Sequence, residues 1–303
     1  MSRHRIRRCA LSASVAATVV LAGGAYLTGG SPDHAPAAVA SVSSVPPAAT
    51  APAAAASEEP VVELDTELAA AVEPLLTGAD TGAVSVAVLD VGSGARAVYG
   101  GTEPSYETAS IVKVDILAAL LLRAQDEDRV LTAGERAHAV AMIGRSDNES
   151  ATALLADVGG AAGLDAANER LGLTATTAAK AWGLTRTTAA DQLTLLEAVF
   201  GKDADGKLSE DSRTYLRGLM TRIEADQQWG VSAAGSDWAL KNGWMPRSAT
   251  GLWNINSIGE VTAGGRTYLV AVLSGGQSTK EAGVALVEAV AKAAVRAVRA
   301  GAG

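Results

Sequence analysis

Residues 62–76, VELDTELAAAVEPLL, place apolar side chains at helical spacing and open the patterned part of the chain. The period then drops to that of strands. VSVAVLDV (84–91) and ARAVYG (95–100) flank Gly92-Ser93-Gly94, which predicts a hairpin. IVKVDILAALLLRAQ (111–125) is apolar almost all round and reads as a buried helix. Helical spacing continues over 133–143, 148–157, 161–171, 187–200 and 209–220. After Trp238 the period changes again. DWALKNGW (237–244), NINSIGEVTA (254–263) and RTYLVAVLS (266–274) read as three strands, with turns at Pro246–Gly251 and Gly264-Gly265. An amphipathic helix, 280–298, closes the pattern. The order helix, two strands, a block of helices, three strands, helix predicts an α+β fold. The outer thirds form one five-stranded antiparallel sheet with flanking helices, and the middle forms a helical lobe. A cleft between two such layers is where a site belongs.

The first 60 residues do not share this patterning. Arg3, Arg5, Arg7 and Arg8 precede an uncharged apolar run, residues 9–30, and AVA at Ala38–Ala40 offers a cleavage site. That is a secretory signal over 1–40. The competing reading is an uncleaved anchor, because about 20 apolar residues also suffice to cross a bilayer. In either case the rest of the chain lies outside the cytoplasm, and membrane contact is confined to residues 9–30. Residues 41–61 are rich in Ala, Pro and Ser and form a linker, which leaves 62–303 as the folded domain, expected to be monomeric.

Charge and rare residues narrow the chemistry. Residues 41–303 keep 21 of the 25 basic groups and 32 of the 33 acidic ones, a balance that excludes nucleic acid as a partner. The single cysteine, Cys9, lies in the signal, so the domain has neither a disulfide nor a thiol nucleophile. Of the three histidines only His138 lies in the domain, within GERAHAVAMIG, where a helix-surface role suffices. A His-rich metal site cannot be assembled, and no cofactor is implied. Nucleophilic chemistry here needs a base other than histidine.

Three motifs supply one: Ser110-Ile-Val-Lys113, Ser146-Asp147-Asn148 and Lys241-Asn242-Gly243. Ser110 and Lys113, three apart at the start of the most apolar helix, share a face. The helix N-terminus offers N–H groups to an oxyanion. An amine desolvated by Ile111, Val112 and Ile116 can lose its proton near neutral pH. Ser146 and Asn148 add a second hydroxyl and an amide, although Ser146-x-x-Glu149 equally reads as a capping box. Lys241 at a strand end can hold a substrate carboxylate, or be an ordinary edge lysine. Gly243 would let a ligand backbone approach closely.

Together the motifs resemble those of the penicillin-recognising serine enzymes, the class A β-lactamases and penicillin-binding proteins. The likeness extends over residues 62–303. It includes Thr187-Thr188-Ala189-Ala190-Asp191, Asn256-Ser257-Ile258-Gly259 and the last helix. The resemblance implies that Ser110 is acylated, Lys113 is its base, Ser146 protonates the leaving nitrogen, and Asn148 and Lys241 bind substrate. It also implies an oxyanion hole from the N–H groups of Ser110 and Trp244. The substrate class it implies is a β-lactam or a cell-wall-peptide-like amide or ester. The alternatives are a small penicillin-binding peptidase or esterase, or a β-lactam sensor without turnover. Three departures stand out. The third motif has Asn242 where the family has Thr or Ser. The 36-residue gap from Ser110 to Ser146 implies a trimmed helical lobe. The segment matching the omega loop, 173–186, contains no Asp or Glu, so the family's deacylating carboxylate is missing and deacylation is expected to be slow.

Overall fold

The computed structural model describes residues 59–78, 82–101, 105–201 and 207–301. The signal over 1–40 and all but the last three residues of the 41–61 linker lie outside the described residues. Helix α1 (Glu59–Val72) begins three residues before the expected domain start and runs on into a 3₁₀ turn over Glu73–Leu76. Strands β1 (Ala83–Asp90) and β2 (Arg96–Tyr99) form the expected hairpin. The helical block is α2 (Val112–Asp126), α3 (Ala133–Gly144), α4 (Asn148–Asp157), α5 (Gly160–Leu171), α6 (Ala189–Phe200) and α7 (Glu210–Met220). Strands β5 (Ser236–Pro246), β6 (Trp253–Ala263) and β7 (Arg266–Gln277) follow, then α8 (Lys280–Gly301). Among the described residues no helix is long and apolar enough to cross a membrane.

The sheet runs β2-β1-β7-β6-β5 and is antiparallel throughout. The last strand in the chain therefore pairs with the first hairpin, which joins the two outer thirds. Val86–Leu89 of β1 and Tyr268–Leu273 of β7 are apolar runs because both faces of these strands are covered. Val86, Val88, Tyr268, Val270 and Val272 meet α1 and α8, whereas Ala87, Leu89, Leu269, Ala271 and Leu273 meet the helical block. Helix α6 packs against β1, β6 and β7, and α2 lies within the helical block against α3, α4, α5 and α7, where every residue from Val112 to Leu122 is buried. The cap residues explain where the block breaks. Thr132 and Glu135 form a capping box at α3, Thr188 and Ser209 cap α6 and α7, and Gly172, with φ +84°, ends α5 in a left-handed turn.

Two local expectations are corrected. The helix expected over 187–200 starts at Ala189. Thr187 instead belongs to a two-residue strand, β4 (Arg186–Thr187), which pairs with β3 (Tyr106–Glu107). Strands this short, made by distant segments, leave no period to read. The capping box at Ser146 does not form either: Asp147 is the N-cap of α4, its carboxylate accepting the Ser150 N–H at 2.8 Å. Ser146 is thereby freed, and it holds a left-handed φ of 58°.

Asp115, in the first turn of α2, is fully buried, with Gln192 and Asp191 the polar side chains nearest its carboxyl. Its two carboxyl oxygens and Gln192 Oε1 have no hydrogen-bond donor. Burial, reinforced by the nearby Asp191 carboxylate, pushes the Asp115 pKa well above the ordinary Asp value, despite the facing Gln192 amide. A protonated Asp115 has the hydroxyl that Gln192 Oε1 lacks. Over the pH range between the unfolded and folded values, the native state keeps a proton that the unfolded chain has lost. Stability therefore falls as pH rises above about 4, by up to about 1.4 kcal/mol per pH unit. Asp115→Asn should remove that slope and give a protein more stable than the parent at pH 8. Urea melts at pH 5 and pH 8 check this, and an unchanged slope would refute the buried acid.

Candidate active site

The nucleophile turn sits where α2 meets the edge strand β5. Ala109–Ile111 form a 3₁₀ turn that leads into α2, so Ser110 lies two residues before the α-helix rather than in its first turn. Ala109 carries a left-handed φ of 47°. Such backbone costs on the order of 1–2 kcal/mol in a non-glycine residue, and here it adjoins the serine. Neighbouring segments hold the turn in place. Asn256 on β6 donates through Nδ2 to the carbonyls of Glu107 (2.9 Å) and Thr108 (3.0 Å), and the Thr108 N–H donates to the Thr185 carbonyl at 2.8 Å. Gly243 explains how closely β5 approaches. A Cβ there would stand 2.6 Å from the Thr108 carbonyl oxygen and 2.8 Å from the Ser110 nitrogen. The glycine expected to admit a ligand backbone instead admits the protein's own nucleophile turn.

Lys113 is fully buried, while Ser110 is half-buried and reaches the surface. Lys113 Nζ lies 3.0 Å from Ser110 Oγ, 2.6 Å from the Ser146 carbonyl oxygen, 3.0 Å from Ser146 Oγ and 2.8 Å from Asn148 Oδ1. The carbonyl and the amide oxygen can only accept. A neutral amine gives them its two protons and turns its lone pair to a hydroxyl, which is the arrangement a base requires. Burial lowers the Lys113 pKa to about 8 against the opposing pull of Asp147. Ser146 Oγ continues the network to Lys241 Nζ at 3.1 Å. Ser110, Lys113, Ser146, Asn148 and Lys241 therefore converge, drawn from the nucleophile turn, α2, the α3–α4 junction, α4 and β5. Glu149 is exposed in the first turn of α4, and His138 lies on the surface of α3 with Nδ1 3.1 Å from Ser150 Oγ.

Lys241 departs from the carboxylate-holding role expected of it. Its side chain has no exposed surface, and Nζ faces Ser146 Oγ, the Asn242 carbonyl (3.0 Å) and Gln227 Oε1 (3.5 Å). Burial, then the neighbouring Lys113 charge, drives its pKa well down. In this structure Lys241 reaches the cleft only through Ser146. Asn242, one step along the strand, turns to the other face. Its Nδ2 donates to the carbonyls of Gln227 (2.7 Å) and Trp229 (2.9 Å), tying the sheet edge to the segment that supplies Gln227. This accounts for an amide in place of a hydroxyl, because a Thr or Ser offers one donor where two carbonyls wait. Trp244 follows on β5, its indole edge-on to Trp229 with centroids 5.9 Å apart and capped by Lys280 Nζ at 4.5 Å. Its side chain thus packs toward α8, so any part it has at the cleft belongs to its backbone.

The segment 173–186 contains no acid of its own but is pinned by acids beside it. Asp191 accepts from the Ala175 N–H (2.8 Å) and Thr176 Oγ1 (2.7 Å), and Asp165 accepts from the Ala178 N–H (2.7 Å). A 3₁₀ turn over Trp182–Leu184 then brings an indole to the site. Lys113 Nζ lies 4.8 Å from the centroid of the Trp182 ring. Trp182 and Gln227 are the two side chains at the site that sequence reasoning missed. Neither belongs to a motif, and each arrives on a loop whose path is set by distant contacts. Among the described residues no group of His, Cys, Asp and Glu is placed to hold a metal ion.

The profile of the β-lactamase enzyme family matches residues 136–298, which take in the second and third motifs and most of α8. The chain belongs to that family, and at that level it is a serine hydrolase of the β-lactamase type. The fold agrees. A class A β-lactamase from Bacteroides cellulosilyticus superposes with a TM-score of 0.67 at 17% identity, covering 78% of this chain and 99% of its own. An ancestral class A β-lactamase gives 0.62 at 24% identity, with 77% and 99% covered. PBP-A gives 0.65 at 20% identity, with 78% and 97% covered. No curated protein sequence matches the chain.

Proposed function

We propose that the protein is an exported serine hydrolase that forms an acyl-enzyme on Ser110 from β-lactams or from cell-wall-peptide-like amides and esters, and releases it slowly. The observation that carries this reading is the buried Lys113 amine, 3.0 Å from both Ser110 Oγ and Ser146 Oγ. Ser110 Oγ gives its proton to neutral Lys113 as it attacks the acyl carbon. The negative oxygen that develops faces the N–H groups of Ser110 and Trp244. Ser146 donates its proton to the leaving nitrogen or oxygen as that bond breaks, and it is reprotonated by Lys113. Asn148, exposed at the start of α4, faces the substrate amide. Hydrolysis of the ester then needs an aimed water. The lack of any carboxylate within 173–186 favours a slow second step.

The test is incubation of the purified domain with benzylpenicillin and a chromogenic cephalosporin, followed by intact-mass analysis. A long-lived adduct of one acyl group, with a small burst and a slow steady state, is the expected result. Rapid turnover with no adduct would refute slow release. The same slow release would suit a β-lactam sensor, and the steady-state rate on cell-wall-peptide-like esters separates the two readings.

Export is part of the proposal. The secreted form should begin near Ser41, as N-terminal mass spectrometry of culture medium would read. Full-length chain confined to the membrane fraction would instead establish the anchor over 9–30.

A further inference from the structure

Trp182 lies between the buried amine and the solvent. Its indole ring is partly exposed, whereas Lys113, 4.8 Å from the ring centroid, has no exposed surface. A second contact sets the ring's orientation: Nε1 donates to Thr152 Oγ1 at 3.2 Å, and that hydroxyl donates in turn to the Asn148 carbonyl. The ring is thereby latched to α4, the helix that carries Asn148. Its backbone is seated on the nucleophile turn. Thr108 Oγ1 faces the Trp182 carbonyl at 3.5 Å, the Thr108 N–H donates to Thr185, and a Cβ on Gly183 would lie in ordinary contact with Ala109 Cα. A large flat apolar group thus occupies the approach to Lys113 on the side of the 173–186 segment.

We propose that Trp182 is a positioning residue that shields the Ser110–Lys113 pair from water, keeping the amine desolvated and the Ser110 ester out of reach of an amine-directed water. The inference rests on the acyl-enzyme reading above and names the group that governs how long the ester lasts. Two effects of the ring on the amine oppose each other. The π face favours the ammonium, while the dry surface favours the neutral amine. Burial is the largest cause acting on Lys113 and lowers its pKa, the direction that the dry surface favours. Removing the ring admits water to both atoms. Neutral Lys113 can then take a proton from that water as its oxygen adds to the acyl carbon. The bond to Ser110 Oγ breaks, Oγ recovers the proton, and the free acid leaves.

Trp182→Ala and Trp182→Phe test this. The phenylalanine keeps an aromatic ring over Nζ but loses the Nε1 bond to Thr152 and the second ring of the indole. Two readouts are needed: the titration midpoint of Lys113, from carbon-13-labelled lysine and assigned by its loss in Lys113→Arg, and the lifetime of the adduct formed with benzylpenicillin or p-nitrophenyl acetate. Lifetimes are compared at a pH above all midpoints, so that the amine is neutral in every variant. In Trp182→Ala the midpoint should rise from about 8 toward the ordinary lysine value and the adduct should decay about tenfold faster. Trp182→Phe should stay close to the parent in both. An unmoved midpoint in Trp182→Ala overturns the proposal, and so does a raised midpoint with an unchanged lifetime. If the parent forms no adduct on Ser110, the acyl-enzyme reading fails, and the titration alone then decides whether Trp182 is the shield.

Discussion

Ser110→Ala is expected to abolish the covalent adduct entirely, because the acyl-enzyme reading places the ester on that hydroxyl. Lys113→Ala should leave the nucleophile but remove its base, slowing acylation by about 10²–10⁴-fold. The two variants separate the roles, since the first gives no adduct at any time and the second gives the full adduct late. The pH profile provides a further check. With a Lys113 pKa of about 8, the amine is protonated below that value and cannot accept the serine proton. At pH 7 roughly one molecule in ten holds the neutral form. Acylation should therefore rise about tenfold per pH unit up to about 8 and then level off. Stopped-flow acylation across pH 6 to 10 reads this directly. A flat profile would remove Lys113 from the role of base.

Gly243→Ala is the second large expectation. The added methyl would meet the Thr108 carbonyl oxygen at 2.6 Å and the Ser110 nitrogen at 2.8 Å, and both are backbone atoms that cannot swing aside. Such overpacking costs about 1–3 kcal/mol. The larger consequence falls on chemistry, because relief of the clash displaces the turn that bears Ser110 from the strand that bears Trp244. Loss of acylation should therefore exceed what the fraction of unfolded protein explains. Urea melts give the stability and adduct formation gives the activity. Full acylation in a stably folded Gly243→Ala would show that the close approach is incidental.

Much of the architecture was legible along the chain. Strands β1 and β7 and helix α2 are marked by apolar runs that burial on both sides requires, and the helix boundaries follow caps such as Thr132 with Glu135. The five-stranded sheet and the helical lobe follow from the order of those elements. The candidate site was legible to the extent that its residues share local motifs: Ser110 with Lys113, and Ser146 with Asn148. Nothing local marks β3 and β4, since two-residue strands have no period, or the left-handed φ of Ala109 and Ser146, which non-glycine side chains adopt only under outside constraint.

By itself, then, the sequence determined the main elements, the membership of the five-stranded sheet and the identity of the polar groups, because periodicity, caps and motif spacing are properties of neighbours in the chain. Tertiary structure alone decided what those groups touch. It turned Asn242 to bridge two carbonyls, spent the donors of Lys241 inside the protein and set Gly243 against the nucleophile turn. It also laid the Trp182 ring over the Lys113 amine. Each of these depends on distances between segments 13 or more residues apart, where burial and close packing act and motif spacing carries no information.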